Sequence, residues 1–139
     1  MRPDEALARL ASARVGRLAT IRPDGSPHVI PFVFAVEGRT LYWVVDAKPK
    51  RTRRLQRLAN IEHDPRVEIV ADEYDEDWTR LWWVRASGHA RVVDEGTPEA
   101  RHAVELLSAK YAPYRAERPA GAVVAIDLVV ARGWSGSRV

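Results

Sequence analysis

The stretch that most constrains this chain runs from Leu41 to Val67, LYWVVDAKPKRTRRLQRLANIEHDPRV. Leu41 to Val45 is a run of large apolar residues and reads as a buried strand. Asp46-Ala47-Lys48-Pro49 breaks it, and a helix follows until Asp64-Pro65 stops it. Lys50, Arg53, Arg54 and Arg57 fall at i, i+3, i+4 and i+7, which puts the cations on one helix face. Leu55, Leu58 and Ala59 lie on another face, suited to packing. The cations therefore stand beside a core strand at a helix start. That end of a helix carries partial positive charge and unpaired N–H groups, which suits a phosphate. A charge run of this kind also fits a solvated basic face. The strand, the break and the helix start favour an anion site.

A chain of 139 residues suits one domain, 1–139, with a real core. Its formal net charge of +3 is too small by itself to argue nucleic-acid binding. There is no cysteine, which excludes disulfides, a thiol nucleophile and a thiolate-bound metal. There is no apolar run of membrane-spanning length and no signal-peptide pattern, so a soluble, cytoplasmic protein is the expectation. Five tryptophans are many for this length; each serves either as core or interface filling or as a flat surface for a planar ring.

In chain order, Asp4 to Ala13 reads as a short helix and Arg14 to Ile21 as a strand. Arg22-Pro23-Asp24-Gly25 is a turn signal, and Ser26 to Val36 reads as one strand, apolar on both faces from Val29 and so covered on both sides. Pro27 and Pro31 each lack a ladder donor, which points to an edge or a bulge. Thr40 to Asp46 is the third strand and Arg66 to Ala71 the fourth. Asp72 to Asp77 is acidic, but its spacing does not match a calcium loop, so it reads as solvated and no metal is expected. In Leu81 to Val93, Trp82, Val84, Ala86, Gly88, Ala90 and Val92 alternate with Trp83, Arg85, Ser87, His89 and Arg91. The first set suits a barrel interior; the second suits a ligand surface, a subunit contact or a solvent face. Thr97 caps a helix to Lys110, amphipathic through Ala100, Ala103, Val104 and Leu107. Tyr111 to Pro119 reads as irregular. Ala122 to Ala131 reads as a last strand buried on both faces, followed by a loose tail from Ser135. The sum is a mainly β (α+β) chain: an antiparallel closed or split β-barrel of about six strands with about three peripheral helices.

His28, His63, His89 and His102 form no HxH or HExxH pattern. No nucleophile elbow, Rossmann fingerprint or P-loop is present, and no carboxylate pair stands out as acid and base. An anion site, many tryptophans and no evident catalytic side chain suggest a borrowed reactive group, a redox cofactor that the protein binds and orients.

The order and spacing of four segments resemble the pyridoxamine-phosphate-oxidase-like split β-barrel family of FMN-binding-like folds. These are GRLATIRPDGSPHVIPFVF, the Leu41–Val67 unit, EDWTRLWWVRASGHARVV, and the closing strand with Gly133-Trp134. Within that family the chain looks closest to the actinobacterial branch that uses the deazaflavin coenzyme F420. The resemblance implies a homodimer with two sites between subunits. It implies that Lys50 and Arg51 hold the cofactor phosphate with Lys48 and Thr52 beside them, and Arg53, Arg54 and Arg57 would then meet the glutamate tail. It implies that the backbone of Val44 and Val45 lines the cofactor, that the main chain of Ile30, Pro31, Phe32 and Val33 faces the ring, and that Trp83 reaches it from the other subunit. Ile30 stands where the flavin oxidases often carry Arg, which leans away from FMN and from pyridoxamine phosphate as substrate. The expected activity is hydride transfer between F420 and an organic small-molecule acceptor, with no residue assigned as acid or base. The other readings are an FMN oxidoreductase on the same fold, a cofactor carrier or sensor without turnover, and nucleic-acid binding through the basic helix. Neither a nucleic acid nor a membrane is an expected partner.

Overall fold

The computed structural model describes residues 1–46 and 51–137, with Asp46 and residues 51–55 as backbone alone. Helix α1 (Pro3–Ser12) precedes strands β1 (Gly16–Ile21), β2 (Pro27–Phe32), β3 (Ala35–Glu37) and β4 (Thr40–Asp46). Then come α2 (Arg51–His63), β5 (Arg66–Glu73), a 3₁₀ turn at Trp78–Arg80, β6 (Trp82–Val93), α3 (Pro98–Lys110), α4 (Ala112–Ala116) and β7 (Gly121–Ser135). The strands form one seven-stranded antiparallel sheet in the order β2-β1-β5-β6-β7-β4-β3.

That order forces the sheet to curl. β2 and β3 are its two edges, yet only Val33 and Phe34 separate them in the chain. Three Cα steps span at most about 11 Å. Seven strands laid flat at about 4.8 Å spacing would hold the edges about 29 Å apart. So the edges meet at the Val33-Phe34 corner and the sheet rolls into an incompletely closed barrel. The expected single strand from Ser26 to Val36 is therefore two strands on opposite edges. Among the described residues there are seven strands where about six were expected, and four α-helices where about three were expected.

A corner at which the chain leaves one edge for the other has main-chain groups without ladder partners. Side chains from the end of α3 supply them. The Tyr111 hydroxyl accepts from Phe34 N at 3.2 Å and shares its proton between Phe34 O at 2.9 Å and Arg14 O at 3.0 Å. Lys110 Nζ donates to Phe34 O at 2.9 Å and Ala11 O at 3.1 Å, and sits 4.4 Å from the centre of the Phe34 ring. Phe34 itself is fully buried. One cluster thus ties α1, the corner and α3 together.

The interior is filled by alternate residues of every long strand: Leu18, Ile30, Phe32, Leu41, Trp43, Val45, Ile69, Val84 and Ile126, with Ala6 and Leu10 of α1. A second core lies between β4, β7 and α3 and contains Tyr42, Val44, Val123, Ala125, Ala103 and Leu107. Val123 to Ile126 is continuously apolar because both faces are covered there. Further on, Val129 and Val130 are exposed, so β7 is not buried on both faces along its whole length. It also outruns the expected end at Ala131: Gly133 pairs with Val84 and Trp134 with Trp83. β6 alternates as expected: Val92 continues the barrel-side set and is partly exposed at the strand end, while Val93, on the opposite face, is buried in the second core against α3. α3 is capped by Thr97, whose Oγ1 accepts from Ala100 N at 3.2 Å. The segment after it is helical at α4 rather than irregular. On the far side of α3, Glu99 accepts from Tyr42 and twice from Arg91, which also pairs with Asp127. Burial and Glu99 push the Tyr42 hydroxyl up to about 12.

Two outcomes follow from the corner. Tyr111→Phe strands the buried Phe34 N–H and should cost about 1–3 kcal/mol in urea unfolding. A loss below a few tenths would show that the corner closes without this hydroxyl. Burial, and then Arg14, lower the Lys110 ammonium to about 8 from 10.5. Between those values the unfolded chain holds a proton that the folded chain lacks, so stability rises with pH across that window. Against Lys110→Met, wild-type stability should gain from pH 8 to pH 10.5; a flat difference would contradict it.

Candidate functional site

The roll of the sheet creates a seam. β3 begins at Ala35 opposite Tyr42, so Trp43 to Asp46 pair with β7 on one side and with no described strand on the other. Across the seam lies the outer edge of β2. Arg22 N donates to Ser26 O, which marks that pair as hydrogen-bonded. Antiparallel alternation then gives His28, Ile30 and Phe32 the bonds to β1 and turns Pro27, Val29 and Pro31 toward the free edge. Both prolines thus stand where no ladder donor is needed. The contact between the two sides is aromatic: Phe32 and Trp43 meet edge-on with ring centres 6.0 Å apart. Trp43 is 2% exposed, and its indole N–H is buried with no hydrogen-bond partner among the described residues.

The expected ring-facing residues occupy this seam. Ile30 and Phe32 point into the core and give their main-chain bonds to β1, Pro31 is exposed with its carbonyl toward the free edge, and Val33 is half-buried. Val44 is buried against α3 and Val45 in the barrel interior. Val29 and Pro31 are exposed in the single chain, so β2 is not covered on both sides.

Beyond Asp46, which pairs with Gly121, the chain passes toward α2. Lys48 and Lys50 lie outside the described residues. Arg51 and Thr52 open the backbone of α2, whose first turn has no acidic residue. α2 is fixed by its other end. Ile61 is buried in the barrel core, Leu58 is partly so, and Ala59 is exposed rather than packed. Asn60 is fully buried: its Nδ2 donates to Thr20 Oγ1 at 3.1 Å and meets His28 Nδ1 at 3.4 Å, while its Oδ1 accepts from Gln56 at 2.7 Å. This polar latch over the β1–β2 hairpin was missed by sequence reasoning. Its signal was an Asn, a poor helix former, beside Ile61 in a helix interior. Arg57, expected on the common basic face, is half-buried beside His28.

Trp83 is on the outer face of β6, half-buried, with the Arg85 guanidinium 5.4 Å above its ring. β1 and β5 lie between β6 and β2, so one chain does not bring Trp83 to the seam. Its surroundings are apolar and basic. Trp134, opposite it, is 45% exposed, and a shallow depression of about 200 Å³ is lined by Glu68, Arg85, Ser87, Val130 and Arg132. The sequence alone reads Trp134 as the end of a strand; in the fold it lies on this outer face beside Trp83. The acidic segment works locally: Asp77 caps the 3₁₀ turn and Glu73 accepts from Trp82 Nε1 at 2.9 Å. No group of three metal-ligating side chains occurs among the described residues, and no described helix is long and apolar enough to cross a membrane.

Known structures share this architecture. A conserved hypothetical protein from Mycobacterium tuberculosis is 28% identical, with a TM-score of 0.75 over 98% of this chain and 86% of that one. A FAD-binding protein from Mesorhizobium loti is 22% identical, with a TM-score of 0.71 over 96% and 94%. A heme-binding protein from Mycobacterium smegmatis is 22% identical, with a TM-score of 0.76 over 99% of this chain and 56% of its own. The sequence profile described as pyridoxamine 5'-phosphate oxidase matches residues 3–135. With nearly its whole length matched, the chain belongs to the pyridoxamine 5'-phosphate oxidase family.

Proposed function

We propose that this protein is a homodimeric oxidoreductase that holds coenzyme F420 in the seam and passes a hydride between it and an organic acceptor. The observation that carries the reading is the seam itself: two strand edges with spare main-chain groups face each other, and the chain order takes β4 on to a helix that has no acid in its first turn. A planar ring with carbonyl and N–H groups along one edge suits such a cleft, and an anion suits its end. The buried Trp43 N–H at the same seam, with no partner among the described residues, fits a site completed by a ligand. When bound, the deazaflavin supplies the hydride chemistry.

The chain's own residues bind and orient. Lys48, Lys50, Arg51 and Thr52 hold the phosphate by charge-assisted bonds. The Ile30-Pro31-Phe32-Val33 segment on one side, through the outward Pro31 carbonyl, and the main chain of Val44 and Val45 on the other fix the ring plane. Phe32, Trp43 and Val45 keep water from the inner side. Trp83 of the partner subunit closes the outside. Support for association comes from the outer sheet face, where Val29, Val70, Val130 and Trp134 are exposed among arginines, a composition typical of contact surfaces. The position of Ile30, 8% exposed and turned inward, leaves β2 without a Lys or Arg for a flavin phosphate and favours F420. A second reading, FMN in the same seam, draws support from the FAD-binding protein of like fold.

Titration with F420 and FMN, followed by tryptophan fluorescence, should show tighter F420 binding. The double variant Lys50→Ala/Arg51→Ala should lose about 1–3 kcal/mol for each charged bond removed. Unchanged affinity would refute the phosphate assignment, and preference for FMN would move the reading to a flavin enzyme. Light scattering should show a dimer at micromolar concentration. Val130→Glu should shift it to monomer with weaker coenzyme binding; a wild-type monomer that binds the coenzyme fully would overturn the shared site.

A further inference from the structure

The latch between α2 and the hairpin does more than hold the helix. Thr20 and His28 are directly opposite each other in the β1–β2 register and both turn toward α2. Asn60 reaches both of them from α2. Because its Oδ1 accepts from Gln56 and its Nδ2 donates to Thr20, the group facing His28 Nδ1 is a donor. His28 Nδ1 must then be the acceptor, which places the ring proton on Nε2. Every neighbour agrees with a neutral ring. Its charged neighbours are Arg22 from the hairpin turn and Arg57 from α2, and Thr20, Gln56 and Asn60 are uncharged. Burial, followed by Arg22 and Arg57, keeps the imidazole below the usual histidine range. Arg22 itself is tied to the turn through Pro27 O at 2.7 Å.

The position along α2 decides what this donor meets. Asn60 is nine residues beyond Arg51, about 14 Å along the helix. A group there is too far from the helix start to share one phosphate, and a tail laid along α2 from Arg51 would reach it.

We propose that His28, with Arg22 and Arg57, forms a second anion subsite that takes a carboxylate of the coenzyme's glutamate tail, His28 offering Nε2–H as a donor whose tautomer is set by Asn60. This rests on the F420 reading, and it separates tailed from tailless coenzymes: FMN has no group that reaches so far.

The test begins without ligand. Imidazole ¹⁵N correlation spectra of the protein at pH 7 should show His28 neutral and protonated on Nε2. Asn60→Leu should mix the tautomers. Addition of the dipeptide γ-glutamyl-glutamate, or of F420, should move the His28 signals. His28→Leu should weaken F420 binding about tenfold, the loss of one hydrogen bond to a charged group, and leave FMN binding unchanged. His28→Gln keeps a neutral donor and should stay within about threefold of wild type; it also guards against a folding defect in the leucine variant. A ring protonated on Nδ1 or cationic at pH 7, or F420 binding by His28→Leu at wild-type strength, overturns the subsite. If the wild type binds no F420, the coenzyme assignment fails on its own. The subsite then stands if the dipeptide moves His28 and falls if it does not.

Discussion

Closure of the Val33-Phe34 corner is the constraint on which the rest of this fold depends. A sheet whose first and last strands are joined by two residues cannot be flat, and it cannot be rolled unless the polar main chain at the join is satisfied. The Tyr111 hydroxyl and the Lys110 ammonium do this from the end of α3, in a place almost closed to water. An unmet amide there would cost a sizeable share of the few kcal/mol by which a domain of this size is stable. The same two residues set where α3 ends. Its last turn is anchored at the corner and its first turn at Glu99 against Tyr42 and Arg91, so the helix is pinned at both ends across β4 and β7.

The seam is the geometric consequence. Closing the sheet at one corner fixes where it stays open, because β3 is too short to follow β4 to its end. The remaining edge of β4 and the free edge of β2 face each other there. Prolines at 27 and 31 make the β2 edge a poor template for another strand, since two of its outward positions have no N–H. Its carbonyls and Val29 N–H remain. An edge that repels strands but still offers scattered polar groups suits a small molecule better than a strand.

Much of this was legible in the sequence, for reasons that differ by element. The β6 alternation is readable because one of its faces is core and the other is not, and the Thr97-Pro98 helix start carries its own cap. The break at Val33 was not readable. FVFAV is apolar throughout, and only long-range topology tells which residue turns from one sheet edge to the other. Arg132-Gly133-Trp134 looked like a terminus because Gly weakens strands; β7 continues because β6 is long enough to pair with it. At the site, the cations just past Pro49 are visible as a pattern. The seam is not, since β2 and the end of β4 become neighbours only through the roll. Nor was the Asn60 latch, whose partners Thr20 and His28 lie far away in the chain.

The outer face of β5, β6 and β7 shows a different balance. Arg85 and Arg132 are direct cross-strand neighbours, a like-charge pairing that weakens a sheet. The compensation within the chain is small: a Glu68 contact at 3.6 Å between half-exposed groups and the stacking of Arg85 on Trp83. Beside them, Trp134, Val130 and Val70 present apolar surface to water. None of these choices strengthens the isolated fold. Together they make a face of aromatic and guanidinium groups around a shallow depression, rich in the residue types that contribute most to binding when a second surface excludes water. The interior of the sheet is built for stability and its exterior is not, and the boundary between the two designs runs through the alternation of a single strand, β6.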